Sequence, residues 1–235
     1  MTDSFIKLVP KKKPLSSANI GSISVSDTKE IINPCQKMLS SLLQNKSLNF
    51  SSIQLARTVS EFNLQGQGAT RAVVERRRYS VLPLQTIGNE LYWLGVILQL
   101  KFETGVFYLS AVSIIIVKGL AEDINKTAIL RAEWDCLTEN LMQKHAQPHW
   151  HIYPSSIIKN WDSDEILELM TNPLKEFGEQ SEKDKFPRFH FAMATKWHLG
   201  EENPHAELKD INSIVKWIEF CTKYTLEQLT FMWKL

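Results

Sequence analysis

The sequence predicts an α+β fold: an antiparallel β-sheet, run as a meander, with helices packed on one face and an N-terminal helical region. Two observations carry this expectation. Four segments between Arg71 and Cys136 alternate or run apolar, are rich in β-branched and aromatic residues, and are separated by short turns. Toward either end of the chain, apolar residues instead recur at helical spacing.

Residues 1–25 are polar apart from a few aliphatics, include Lys11, Lys12 and Lys13, and read as a flexible basic arm ordered only by packing on something else. Residues 26–68 read as the helical region. Ser26 and Asp27 followed by Glu30 form a capping pattern that opens a helix running to about Gln44, with Ile31, Cys35, Leu39, Leu42 and Leu43 on one side. A second short helix is expected from Ser51, carrying Ile53, Leu55, Ala56, Val59 and Phe62 and broken by Gln65-Gly66-Gln67-Gly68. Residues 69–235 form the expected α+β core domain. Its strands run Arg71 to Leu84, Leu91 to Phe102, Val106 to Val117 and Thr127 to Cys136, with shorter ones at Pro148 to Tyr153 and Arg188 to Met193. Glu103-Thr104-Gly105 and Glu122 to Asn125 have hairpin-loop chemistry, which makes neighbouring strands antiparallel. Asp162, Ser163 and Glu165 start a helix that Pro173 interrupts, and Leu208 to Met232 form a last one, broken near Thr225.

The chain has 235 residues, 43% hydrophobic and 23% charged, ordinary values for a globular protein with a real core. Its apolar runs, the one around Val112 to Val117 included, are far too short to span a bilayer, and the N-terminus reads as carrying no apolar signal segment. Cys35, Cys136 and Cys221 are odd in number and widely spaced, which reads as reduced thiols in the cytoplasm. A net charge of +1 conceals a split. Through Ser80 there are 12 Lys+Arg against 5 Asp+Glu, net +7; beyond it there are 15 against 21, net −6. The basic part, densest at Arg71, Arg76, Arg77 and Arg78, is expected to contact nucleic acid, although such a run also serves as an ordinary solvated surface.

All six histidines lie between His145 and His205, and three of them fall within seven positions: His145, His149 and His151. Upstream, Arg131, Glu133 and Asp135 alternate, so a strand puts them on one face with Leu130, Ala132 and Trp134 opposite. The same period places His149 and His151 together. If these two strands pair, the polar faces merge into one solvent-reachable patch with a base, an orienting carboxylate and an anion-stabilising guanidinium, the minimal kit for phosphodiester cleavage. The candidate catalytic residues are His149, His151, Arg131, Asp135, Glu133 and His145. The same arrangement is also a plain salt-bridge ladder. His149 and His151 with Asp135 or Glu133 would make a two-histidine, one-carboxylate metal set, but Arg131 on the same face opposes a cation, so metal-free chemistry with no cofactor is the expectation. No glycine-rich phosphate loop and no nucleophile elbow is present, which excludes the common P-loop and α/β-hydrolase mechanisms. His190 and Arg188 are candidates to line the same cleft; His198 and His205 read as surface residues.

The order Arg131-x-x-x-Asp135, then His145-x-x-Pro148-His149-x-His151, then an apolar C-terminal helix, resembles small bacterial proteins of toxin–antitoxin and phage-defence loci. Among these it is similar to TumE-type RNA-cleaving toxins over roughly Val106 to Met232. The resemblance implies ribonuclease-like cleavage by Arg131, Asp135, His149 and His151, with nucleic acid, chiefly RNA, as target and an antitoxin or partner subunits alongside. Two other expectations stand beside it: a non-catalytic subunit of a defence assembly, and a metal-dependent hydrolase.

Overall fold

A computed structural model describes residues 23–74, 76–87, 90–136, 148–153, 189–192, 208 and 210–233. The expected helices near Asp162, and His145, Arg188, His198, His205 and Lys11 to Lys13, lie outside these residues. The described chain is α+β, dominated by antiparallel sheet. In order come β1 (Ile23–Val25), α1 (Lys29–Leu42), β2 (Asn49–Ala56), β3 (Val59–Gln65), β4 (Thr70–Val74) and β5 (Arg77–Ile87). Then follow β6 (Glu90–Glu103), β7 (Val106–Lys118), β8 (Thr127–Asp135), β9 (His149–Ile152), β10 (Phe189–Ala192) and α2 (Ile211–Trp233).

The main sheet runs β10-β9-β8-β7-β6-β3-β2, and β5 pairs with β6, so β5 to β8 are the expected meander and the two shorter strands β9 and β10 extend it. Thr104 and Gly105, at φ 50° and 85°, make the two-residue turn between β6 and β7. That backbone suits the twist of a hairpin.

Three expectations are corrected. The second N-terminal helix is instead the β2–β3 hairpin, with Phe50 opposite Leu64 and Ala56 opposite Val59, and β3 continues into the sheet by pairing with β6. Period two explains it: Leu64 is buried in the helix-side core and Phe62 packs against it, while Glu61 and Asn63 take the other face. The single strand from Arg71 to Leu84 is two strands, turned at Arg76, whose φ of 68° sits between the paired Val74 and Arg77. Within the arm, Ile23 to Val25 form a strand on β7 and bury Ile23 and Val25.

The sheet's first face carries the helices. Ile31, Cys35 and Leu39 of α1 and Ile214, Ile218 and Cys221 of α2 pack with Leu94, Val96, Ile114, Ile116, Ala132 and Trp134. Each such fully buried aliphatic stabilises the fold by about 1.5–3 kcal/mol. Glu30 closes the start of α1 by accepting from the Ser26 and Asp27 amides, both at 3.1 Å. The expected break of α2 near Thr225 is absent: the Thr225 hydroxyl donates to the Cys221 carbonyl at 2.8 Å inside a continuous helix. The three cysteines are free, and burial pushes the Cys35 thiol up to about 12 and raises Cys221 as well. No helix of the described residues is long and apolar enough to cross a membrane.

The second face is covered by the β4–β5 hairpin, which brings Ala72, Val74, Tyr79 and Val81 onto Trp93, Ile97, Ile115 and Val117. A buried polar knot lies beside this second core. The Glu61 carboxylate accepts from Asn63 Nδ2 at 2.9 Å and Gln99 Nε2 at 3.1 Å, and Arg77 Nη2 sits 2.7 Å away. Burial alone would raise the Glu61 carboxyl, but these donors outweigh it and hold the group below 4.5. A depressed carboxyl stabilises the fold above its unfolded value, and that stabilisation is lost as pH falls below about 4.5. Glu61→Gln is therefore expected to be less stable than the native chain by roughly 1–3 kcal/mol at neutral pH, with the gap shrinking toward about pH 4. Urea unfolding of both chains across that range measures it; a gap independent of pH would refute the assignment.

Candidate metal centre

Strands β8 and β9 pair across the connection as the alternation requires: Arg131 stands opposite His151 and Glu133 opposite His149. Directly opposed residues share a face, so both imidazoles, the guanidinium and the carboxylate gather on the second face of the sheet. The result is one compact cluster. His151 Nε2 lies 2.6 Å from Glu133 Oε2, His149 Nε2 lies 3.7 Å from the same oxygen, and the two Nε2 atoms are 2.6 Å apart. On the other side of the carboxylate, Arg131 Nε is 2.9 Å from Oε1.

The patch is not the open hollow expected. His149 is 0% exposed, His151 2% and Arg131 7%; Glu133, with 16% of its side chain exposed, is the corner that meets solvent. The β4–β5 hairpin covers part of this face, and Tyr79 comes near Arg131. Burial would lower the Arg131 pKa, but the Glu133 charge and the nearby Tyr153 and Tyr79 raise it, so the guanidinium is charged. Burial likewise pushes the Glu133 carboxyl up, yet the His151 hydrogen bond and the Arg131 charge dominate and hold it at about 2.

Asp135 stands two residues on, opposite Ala111, outside the group of converging donors. His190 is paired in register with His151 through β10. Of the basic residues, Arg77 is committed to Glu61 and lies over the Tyr79 ring at 5.5 Å, Arg76 occupies the turn, and Arg71 and Arg78 are exposed. Tyr79 and Tyr153 were missed by the sequence reading. Tyr153 extends the 149, 151 alternation by one step, a signal that was there to be used; Tyr79 reaches Arg131 only through the fold of the hairpin.

Three donor atoms, Nε2 of His149, Nε2 of His151 and a Glu133 oxygen, lie within 4.8 Å of one another. Hydrogen bonding alone serves them poorly. The His151 Nε2 has one site, protonated or not, yet it meets a nitrogen and an oxygen both at 2.6 Å. A cation answers all three lone pairs at once. Zinc and similar ions hold such donors at about 2.0–2.2 Å, which separates them by roughly 3.3 Å, so the atoms need spread by less than about 1 Å. Arg131 does not stand in the way, because it engages the other carboxylate oxygen and so orients the ligand.

The geometry defines a protein class: an antiparallel α+β domain whose sheet carries a two-histidine, one-carboxylate cluster on the face away from its helices. No family model, curated protein or solved structure matches the chain.

Proposed function

We propose that the chain is a metal-dependent hydrolase of phosphate esters, with Glu133, His149 and His151 as the metal ligands. The observation that carries this is the convergence of their three donor atoms. Three protein ligands leave an open coordination position, as catalytic rather than closed structural centres do. A metal bound there supplies a water acidified to about pKa 7 and a Lewis acid for a phosphoryl oxygen. Arg131 fixes the Glu133 carboxylate from its other oxygen. This departs from the metal-free chemistry expected from the sequence, and keeps its substrate class: the resemblance to RNA-cleaving toxins and the basic N-terminal part both favour nucleic acid in a bacterial defence or toxin setting.

The test is elemental analysis of tag-free protein together with hydrolysis of bis(p-nitrophenyl) phosphate. The native chain is expected to hold about one equivalent of a transition metal, and His149→Ala with His151→Ala less than about a tenth, with activity lost in parallel. A native chain that retains no metal and takes up none on addition of zinc, manganese or iron would overturn the proposal. Full metal occupancy without hydrolysis would leave a metal-binding protein and remove the enzyme.

A further inference from the structure

Tyr79 also borders open space. It forms part of the wall of a groove of about 620 Å³ between the β2–β3 hairpin and the β4–β5 hairpin. That volume is within the range of small-molecule sites, roughly 300–1,000 Å³. Its lining divides into two kinds of surface. Arg71 and Arg78 supply the charge, while Ile53, Val73 and Ile124 supply apolar area.

The two arginines are placed together by register. Arg71 pairs with Ser80 and Val73 with Arg78, so Arg71 and Arg78 are diagonal neighbours on one face of the hairpin. Such neighbours have backbones about 7–8 Å apart, within reach of one bridging anion for side chains this long. Arg77 belongs to the other face and is engaged by Glu61. Arg71 and Arg78 are exposed, and among the described residues neither has a carboxylate at ion-pair distance. Two like charges placed side by side without a counterion repel each other, which an anion relieves. The apolar side is equally unsatisfied: Ile53 and Ile124 are 52% and 62% exposed. A ligand matching both surfaces has a phosphate at one end and a flat, weakly polar body at the other.

We propose that this groove binds one nucleotide unit, the phosphate on Arg71 and Arg78 and the base against Ile53, Val73 and Ile124. The inference deepens the phosphate-ester reading by naming its substrate class, but its test does not involve the metal. The unit is either a free nucleotide or part of a single strand, since both present the same phosphate and base.

Fluorescence anisotropy with a labelled ten-residue oligouridylate, with unlabelled AMP as competitor, tests it. The native chain is expected to bind, and Arg71→Glu with Arg78→Glu to bind at least about tenfold more weakly, while metal content and melting temperature stay unchanged. Arg71→Gln with Arg78→Gln serves if the charge reversal impairs folding. Displacement by AMP assigns the site to a free nucleotide; binding of the oligomer without displacement assigns it to a strand. Native-like binding by the arginine variants, or no binding of oligomer or AMP by the native chain, overturns the proposal. His149→Ala with His151→Ala should leave binding intact, so loss of the metal centre and loss of the groove are read separately.

Discussion

Arg131→Met is expected to lower the stability of the metal-free protein by about 3 kcal/mol, and a bound divalent cation to return more than half of that loss. The magnitude follows from burial. Arg131 is 7% exposed and compensates a Glu133 carboxylate that is itself mostly covered. Removing one partner of a buried ion pair leaves an uncompensated charge and costs roughly 3–5 kcal/mol. The recovery follows from the geometry, because Arg131 faces Oε1 while the imidazoles meet Oε2. A cation among the three donors would neutralise the same carboxylate from its opposite side. Urea unfolding in chelator and in excess zinc, for both chains, separates the two effects. An equal loss in both conditions would show that no cation reaches Glu133. A loss below about 1 kcal/mol in chelator would show that the carboxylate does not depend on Arg131.

The cluster was legible because period-two alternation is a rigid rule. Once Arg131 and Glu133 are in one strand and His149 and His151 in the next, in-register pairing leaves a shared face as the outcome, and the register found is that one. Its depth was not legible. The face that carries His149 is covered in part by a hairpin some seventy residues earlier, whose turn at Arg76 breaks what reads as one continuous strand. The β2–β3 hairpin was misread for a related reason. Ile53, Ala56 and Val59 match a helix about as well as Ile53 and Leu55 match a strand. The choice is made by long-range pairing of β3 with β6, which local spacing does not encode. The basic cluster divides on the same principle: Arg77 and Arg78 are neighbours in sequence, but strand alternation sends them to opposite faces of the hairpin, one to Glu61 and the other to the groove.

Gly95→Ala is expected to destabilise the fold by about 1–3 kcal/mol and Gly95→Val by more. The sign is the informative part, because glycine inside a strand is ordinarily a weakness that alanine relieves by roughly 0.5–1 kcal/mol. Gly95 lies in β6 between the stretch paired with β5, which ends at Leu94, and the stretch paired with β3, which begins at Ile97. There β5 leaves the sheet edge and crosses the second face. A Cβ at Gly95 would stand 2.8 Å from Ile115 Cγ2 and 3.3 Å from both the Ser80 carbonyl oxygen and Val81 Cγ1. Ile115 is β-branched and has little rotamer freedom with which to retreat, and the Ser80 contact is backbone. Relief therefore requires either lifting the β4–β5 hairpin or pushing Ile115, which stands opposite Arg131 in β8. Both movements reach the metal cluster, so metal occupancy should fall together with stability. Urea unfolding and elemental analysis of the two variants check this. A neutral or stabilising Gly95→Ala would mean that the hairpin does not bear on β6.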